Sequence, residues 1–176
     1  MTSLLESAAS RASSLAPASW RRFFRRQSGV AEKPWADDLC VVDLQWWHLR
    51  QLGRMDLKPQ LGQYAFAALE SGRCFAAGGI VTASWDWIGY AWFVQDGSVN
   101  PRWWPGITRA VAKAVEIALD GPYCRVEMFV DPADMAAQRW ATRLGFKLEG
   151  RCASLLGPGK DGLIYGRTRP EPDRAE

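Results

Sequence analysis

Apolar residues along this chain follow two spacings, which together predict an alternation of strands and helices. Short apolar runs bounded by glycine, proline or aspartate are typical of strands, whereas apolar positions three or four residues apart are typical of helices. The runs predict strands at 38–43, 64–70, 73–81, 88–95, 123–130, 146–156 and 163–169. The wider spacing predicts helices at 44–55, at 106–121 and after Asp131. This order indicates a mixed α/β (α+β) fold with one central mixed sheet of about six to seven strands flanked by helices.

Local signals refine the predicted helices. Trp47 and Met55 fall at helical spacing in 44–55, which places them on its apolar face. Gly121 is positioned to end the helix 106–121, because glycine readily adopts the backbone conformation that follows a helix. Asp131 is a suitable cap for the third helix, with Pro132 at its first position.

Composition narrows the class of protein. The chain has 176 residues, of which 48% are hydrophobic and 23% charged, and no apolar run approaches the ~18 residues of a membrane span. We therefore expect a soluble, cytoplasmic chain whose main body forms one domain. Four widely spaced cysteines without a C-x-x-C pair, and a single histidine, His48, favour reduced buried thiols and no metal site. His48 itself is expected to be a half-buried helix residue.

The first 33 residues carry most of the positive charge, with six Lys/Arg against two Glu (net +4) in a chain of net charge +3. Within them, SWRRFFRRQS places aromatic and basic side chains on opposite sides of a helix. Such a segment can pack on its own domain, dock on a protein, nucleic acid or anionic membrane, or act as a transit peptide. A protein partner is favoured and a membrane is the least favoured of the three partners. The predicted partner-binding residues are Trp20, Arg21, Arg22, Phe23, Phe24, Arg25 and Arg26.

The chain accordingly divides into a basic amphipathic arm (1–34), a main domain (35–169) and a polar tail (170–176). In the second half of the main domain, VEMFVDPADMAAQRWATRLGFKLEGRC is followed by DGLIYGRTR. From about Asp38 to Arg169 the chain resembles the GCN5-related N-acetyltransferase (GNAT) superfamily, in the strand, the helix, the G-F turn, the E-G strand and the final D-x-x-x-Y strand. The Tyr90-Ala91-Trp92 strand and the W-x-x-I-T-R-A-V run are similar to those of GNAT-like proteins of bacteriophages and prophages. If the chain is phage-encoded, a location in the virion is expected.

The resemblance implies an acetyl-CoA site at the turn that opens the helix at 106–121. In the superfamily this turn reads R/Q-x-x-G-x-G/A, and the free N–H groups at the helix start bind the pyrophosphate. Gly106 matches the first glycine, but Thr108 replaces the second small residue and Trp103 stands in place of Arg or Gln. Pro105 removes one N–H. The candidate cofactor-binding residues are Arg102, Gly106, Ile107, Thr108 and Arg109.

The same resemblance indicates reduced catalytic equipment. Many members of the family carry a tyrosine four residues before the glycine of the G-F turn, and this chain has Ala141 there. Asp134 takes the place of an asparagine that is common early in that helix. The remaining candidates for a general base or acid are Asp96, Glu127 and Tyr165, followed by Asp86 and Tyr123.

Two functions follow from these residues. In the first, a GNAT-fold protein with a degenerate acetyl-CoA site serves as a non-catalytic partner-binding or structural component, such as a part of a phage particle. In the second, the chain is an active acetyl-CoA-dependent N-acetyltransferase acting on a protein or a small amine. Nucleic-acid binding through the arm is a third, minor alternative.

Overall fold

The computed structural model of the chain describes residues 39–60 and 64–169. The predicted arm (1–34) and the polar tail (170–176) lie outside the described residues, so the domain boundaries remain predictions.

Seven strands and three α-helices make up the described chain. The strands are β1 (Leu39–Asp43), β2 (Phe66–Glu70), β3 (Arg73–Thr82), β4 (Ile88–Gln95), β5 (Arg125–Val130), β6 (Lys147–Gly157) and β7 (Lys160–Thr168). The helices are α1 (Trp46–Gln51), α2 (Trp104–Asp120) and α3 (Met135–Arg143), with 3₁₀ helices at Met55–Gln60 and Pro101–Trp103. The strands form one sheet in the order β1-β2-β3-β4-β5-β7-β6. This confirms the predicted mixed α+β class with one sheet and flanking helices.

The first of two compact units contains the described residues up to Val81 together with Phe93–Ala114. Its strands β1, β2 and β3 pair antiparallel, and β2 and β3 form a hairpin joined by a two-residue turn. Phe66 of β2, together with Leu49 and Ile107, is almost fully buried in this unit. The tight turn between β2 and β3 uses Gly72 at a positive φ of 79°, where a residue without a Cβ is favoured.

The second unit contains Thr82–Trp92 and the described residues from Val115 onward. In it β4 pairs parallel to β5, while β5, β7 and β6 pair antiparallel. Val126 of β5 is fully buried, and Leu144 and Phe146, on either side of the G-F turn, are buried with it. Gly145 between them has a φ of 83°, which explains why glycine occupies this turn.

Two of the predicted helices have other bounds in the structure. The helix predicted at 44–55 is only Trp46–Gln51, and its Trp47 and Met55 are largely exposed. The third helix begins at Met135, because Asp134 Oδ1 accepts from Ala137 N at 2.9 Å and makes Asp134 the cap. Asp131 caps the preceding turn instead, through Ala133 N at 2.8 Å.

The structure also tests the predicted burial of the cysteines and the absence of a membrane span. All four cysteines are unpaired, but only Cys74 is buried, whereas Cys124 and Cys152 are exposed, so the expectation of buried thiols is wrong for those two. Burial raises the pKa of the Cys74 thiol to about 11, which keeps it protonated and unreactive. Within residues 39–60 and 64–169, no helix is both long and apolar enough to cross a membrane.

His48 is buried rather than half-buried, and its ring has a structural role. Its Nδ1 accepts the backbone N–H of Gln45 at 3.1 Å, which fixes the first turn of α1. Burial lowers the pKa of His48 from its ordinary value of 6.5, because the charged ring loses its hydration. A buried neutral imidazole that already accepts a backbone hydrogen bond is poorly placed for catalysis.

This lowered pKa predicts a pH dependence of stability. Well above pH 6.5 the His48 ring is neutral in both the folded and the unfolded chain, so its contribution to folding stability is fully present. As the pH falls towards the lowered folded pKa, the unfolded chain takes up a proton first and stability is lost. We expect His48→Gln, which keeps an acceptor, to lose less stability than the wild type between about pH 7.5 and about pH 5.5. Urea unfolding at both pH values measures the loss of stability. Equal losses in the two proteins would show that His48 does not cause the pH dependence.

Candidate functional site

The opening of α2 lies at the predicted cofactor turn, but it begins earlier than the sequence indicates. The chain enters through the 3₁₀ helix Pro101–Trp103 and becomes α-helical at Trp104, so Gly106 is the third residue of α2 rather than the first. The predicted start at 106 is therefore wrong by two residues. The free N–H groups of a helix belong to its first turn, which here begins at Trp104 and includes Gly106.

Asn100 takes up the first N–H groups of this opening. Its side-chain Oδ1 accepts from the N–H of Arg102 at 3.1 Å, and its backbone carbonyl accepts from the N–H of Trp103 at 2.9 Å. A side-chain oxygen in this position is an ordinary helix cap. Two of the donors that a phosphate at this turn would use are thus bonded within the chain.

The other N–H groups of this opening are either absent, at the prolines, or bonded in a tight turn. The N–H of Trp104 bonds to the carbonyl of Pro101. Pro101 and Pro105 have no N–H at all. From 101 to 105, every backbone N–H is therefore either missing or engaged by the chain itself.

A carboxylate adds negative charge at the same place. Glu70, the last residue of β2, accepts a hydrogen bond from Trp103 Nε1 at 2.9 Å. Its Oε1 also lies 3.5 Å from Arg102 Nη2, and the Arg102 guanidinium stacks over the Trp103 ring, 4.3 Å from its centroid. Arg102, the predicted cation for a phosphate, is thereby paired with a carboxylate from this chain. Sequence reasoning missed this role of Glu70, which it placed at the end of the strand predicted at 64–70.

The space beside Gly106 faces the protein. A Cβ added there would lie 3.0 Å from Leu39 Cδ2, so the first side chain of β1 occupies the approach that the missing Cβ leaves open. Ile107 is fully buried in the core. Thr108 is half-buried and Arg109 is exposed on the outer side of α2. Of the five predicted cofactor residues, four lie in α2 and Arg102 lies in the 3₁₀ helix before it. Arg102, Gly106 and Ile107 make contacts within the chain.

Asp96, the first candidate base, is tied into the turn that follows β4. It accepts hydrogen bonds from Ser98 N at 2.8 Å and Ser98 Oγ at 2.5 Å, and pairs with Arg73 Nη2 at 2.7 Å. Burial raises the pKa of Asp96, but the Ser98 hydrogen bonds and the Arg73 charge outweigh it, so the pKa is lowered overall. A carboxylate with a lowered pKa is a weak general base near neutral pH.

Glu127 and Tyr165 lie in the second unit, where Glu127 is part of an ion network and Tyr165 is buried in the core. Glu127 Oε1 accepts from Arg125 Nε at 2.6 Å, and Arg125 also forms a salt bridge with Glu149. The three side chains form one ion network on β5 and β6. Tyr165 is buried on β7, opposite Met128 of β5.

Tyr90 and Tyr123 are poor acids. Burial raises the pKa of Tyr90 to about 12, with a smaller contribution from the Glu127 charge, and its ring packs edge-on against Phe129 at 4.6 Å. Burial also raises the pKa of Tyr123, whose hydroxyl lies 3.0 Å from Thr82 Oγ1. Asp86, by contrast, is exposed in the turn before β4, between two exposed tryptophans.

Solved structures identify the architecture. The chain is similar to the ribosomal-protein-S18-alanine N-acetyltransferase from Escherichia coli (TM-score 0.61, 10% identity), covering 78% of this chain and 98% of that one. It is also similar to a GNAT-family acetyltransferase from Streptococcus pneumoniae (TM-score 0.56, 16% identity, 74% and 99% covered). A third is yncA from Salmonella typhimurium, solved with its cofactor acetyl-CoA (TM-score 0.53, 12% identity, 74% and 73% covered).

No protein-family model matches the sequence, and no curated protein sequence matches it significantly. The structural likeness at 10–16% identity therefore defines the fold, which is that of GNAT acetyltransferases. A shared fold does not by itself carry a shared activity, because activity depends on the residues of the site.

Proposed function

We propose that this chain is a non-catalytic partner-binding or structural protein built on the GNAT fold, in which the opening of α2 no longer holds acetyl-CoA. One observation carries the proposal: the opening is filled from within the chain. Its N–H groups from 101 to 105 are missing or bonded, and the Glu70 carboxylate pairs with Arg102. At residues 101–105 a pyrophosphate would therefore meet few free donors, and it would also meet the like charge of Glu70, both of which oppose its binding.

The catalytic candidates support the same proposal. Asp96 is committed to its turn and Glu127 to Arg125. The position where the family often carries a tyrosine holds Ala141, which is fully buried in the core. Each of these side chains has a structural contact that accounts for its presence, so none of them requires an acyl-transfer reaction.

A basic arm gives such a protein a means of docking. Residues 20–26 combine four arginines with three aromatic side chains, a composition suited to gripping an acidic protein surface. We propose a protein as the partner, and the sequence resemblance to phage and prophage proteins favours a component of a phage particle.

An active acetyltransferase is the second candidate. It is favoured by the likeness to yncA, which was solved with acetyl-CoA, and by the positioning of two substrates, which can accelerate transfer without a dedicated acid. The two candidates differ in whether acetyl-CoA binds.

The decisive experiment is a calorimetric titration of the full chain with acetyl-CoA. The salt concentration should be about 0.15 M, so that general attraction between the basic chain and the polyanionic ligand is screened beyond about 8 Å. We expect no saturable binding at up to millimolar ligand. Saturable micromolar binding that is weakened in Arg102→Ala but kept in Arg139→Ala, a change at an exposed arginine on α3, would contradict the proposal and favour the enzyme.

A further inference from the structure

The turn between β3 and β4 presents two tryptophans to solvent. Trp85 and Trp87 are 58% and 52% exposed, with ring centroids 5.3 Å apart and ring planes 31° from parallel. The turn is held by backbone hydrogen bonds from Ile88 N to Trp85 O and from Cys124 N to Trp87 O, both 2.9 Å. Tryptophan is a residue that folding normally buries, so a fixed exposed pair marks a surface suited to a partner. Residues 85–87 are called the WDW turn below.

Asp86 gives this surface a charge. It lies between the two tryptophans, and among the described residues its carboxylate forms no hydrogen bond or ion pair. The faces of indole rings attract cations, and a carboxylate binds a guanidinium through two hydrogen bonds. The combination suits arginine, whose flat cation can stack on a ring and pair with a carboxylate at the same time.

The other exposed tryptophan pair lacks this combination. Trp46 and Trp47 are each 46% exposed, but their rings meet edge to face, 5.9 Å apart and at 83°. The next residue is the buried His48, and no carboxylate stands between them. This pair is therefore a matched control of similar exposure and different chemistry.

We propose that residues 20–26 of the same chain dock on the WDW turn. This segment, WRRFFRR, carries four arginines and no acidic residue, whereas the main body of the chain is close to neutral. Several arginines of the described part are already paired, as Arg54 is with Asp56, Arg73 with Asp96 and Arg151 with Asp161. The segment thus supplies the cations that the WDW turn lacks, together with aromatic side chains that can pack against its two tryptophans.

The tether makes docking on the same chain feasible. Residues 27–38 separate the segment from β1, and twelve residues span up to about 40 Å when extended. A linker of this length does not confine the segment to the residues next to β1. Linkage raises its effective concentration into about the millimolar range, at which individually weak cation–π contacts are populated. A partner that takes up the arm would have to displace it from this surface. The proposal does not depend on whether acetyl-CoA binds.

Limited trypsin digestion of the full chain tests the docking. Trypsin cleaves after arginine, so cleavage at Arg21, Arg22, Arg25 and Arg26 reports how accessible the segment is, and cleavage at Arg11 in the same reaction is an internal reference. Intact-mass spectrometry distinguishes these products. We expect Asp86→Asn, and separately the Trp85→Ala/Trp87→Ala pair, to raise the ratio of segment to reference cleavage at least about fivefold. The Trp46→Ala/Trp47→Ala pair should leave it unchanged.

Three results would overturn the proposal. The first is an unchanged ratio in both variants of the WDW turn, with their unfolding midpoints equal to that of the wild type. The second is an equal rise in the Trp46→Ala/Trp47→Ala control. The third is protection that increases with protein concentration between about 1 and 50 μM, because a tethered contact is independent of concentration and such a rise would assign the surface to a second copy. Asp86→Asn keeps both rings and the shape of the side chain, which makes it the variant least able to disturb folding.

Discussion

Gly79→Ala should cost about 2–3 kcal/mol of unfolding free energy, because a methyl group at this position has no space. Gly79 is buried in β3, and an added Cβ would lie 2.8 Å from Ala65 Cα and 3.1 Å from Tyr64 O. Both are backbone atoms of a buried segment, so relief requires moving main chain rather than rotating a side chain. The midpoint and slope of urea unfolding measure the loss.

Gly106→Ala is the matched control for this prediction. Its added Cβ would also approach a neighbour closely, at 3.0 Å, but the neighbour is the end of the Leu39 side chain, which can move. Alanine is favoured over glycine inside a helix by about 1 kcal/mol, which offsets the contact. We expect the control to stay within about 1 kcal/mol of the wild type. Equal stability of the two variants would contradict this steric argument, because it would show that the main chain near Ala65 moves aside at little cost.

The opening of α2 bonds several of its polar groups within the chain. The helix retains a cap, a first turn and a buried Ile107, so its packing is satisfied without a ligand. Asn100 accepts hydrogen bonds from two N–H donors and Glu70 pairs with Arg102, so groups that could bind an anion are engaged within the chain. Polar groups that find partners within the chain in this way stabilise a helix end without a ligand.

Most of the architecture could be predicted from the sequence because it follows from short-range patterns. The strands β2 to β4 match the predicted runs within two residues, since glycine and acidic residues bound each run. The helix α2 was predicted for the same reason, from its apolar face and from Gly121. The resemblance to GNAT proteins then supplied the class of fold.

The contacts of the candidate site could not be predicted, because they join distant parts of the chain. Glu70 and Trp103 are 33 residues apart in sequence, and Leu39 is still farther from Gly106. No periodicity connects such pairs, and the side chains meet only after the first three strands have paired. The wrong cap prediction for α3 has a local cause. Asp131 and Asp134 are both suitable caps, and only the backbone geometry decides which of them caps the helix.

Arg169→Ala should cost about 2 kcal/mol, since it removes a charged clamp from the C-terminal end of α2. The guanidinium donates to the carbonyls of Leu119, Gly121 and Tyr123, and its charge lies at the negative end of the helix dipole. Arg169→Lys should recover only part of the loss, because one ammonium group cannot span three carbonyls in the geometry of the guanidinium fork.

Arg167→Ala provides the comparison that identifies the cause. Arg167 Nη1 donates to a single carbonyl, that of Leu144 at the end of α3, at 2.8 Å. If satisfied carbonyls rather than charge alone stabilise these helix ends, Arg167→Ala should cost less than half as much as Arg169→Ala in urea unfolding. Equal costs for the two alanine variants, or full recovery by Arg169→Lys, would instead assign the effect to the helix dipole, because both arginines carry the same charge near a helix C-terminus.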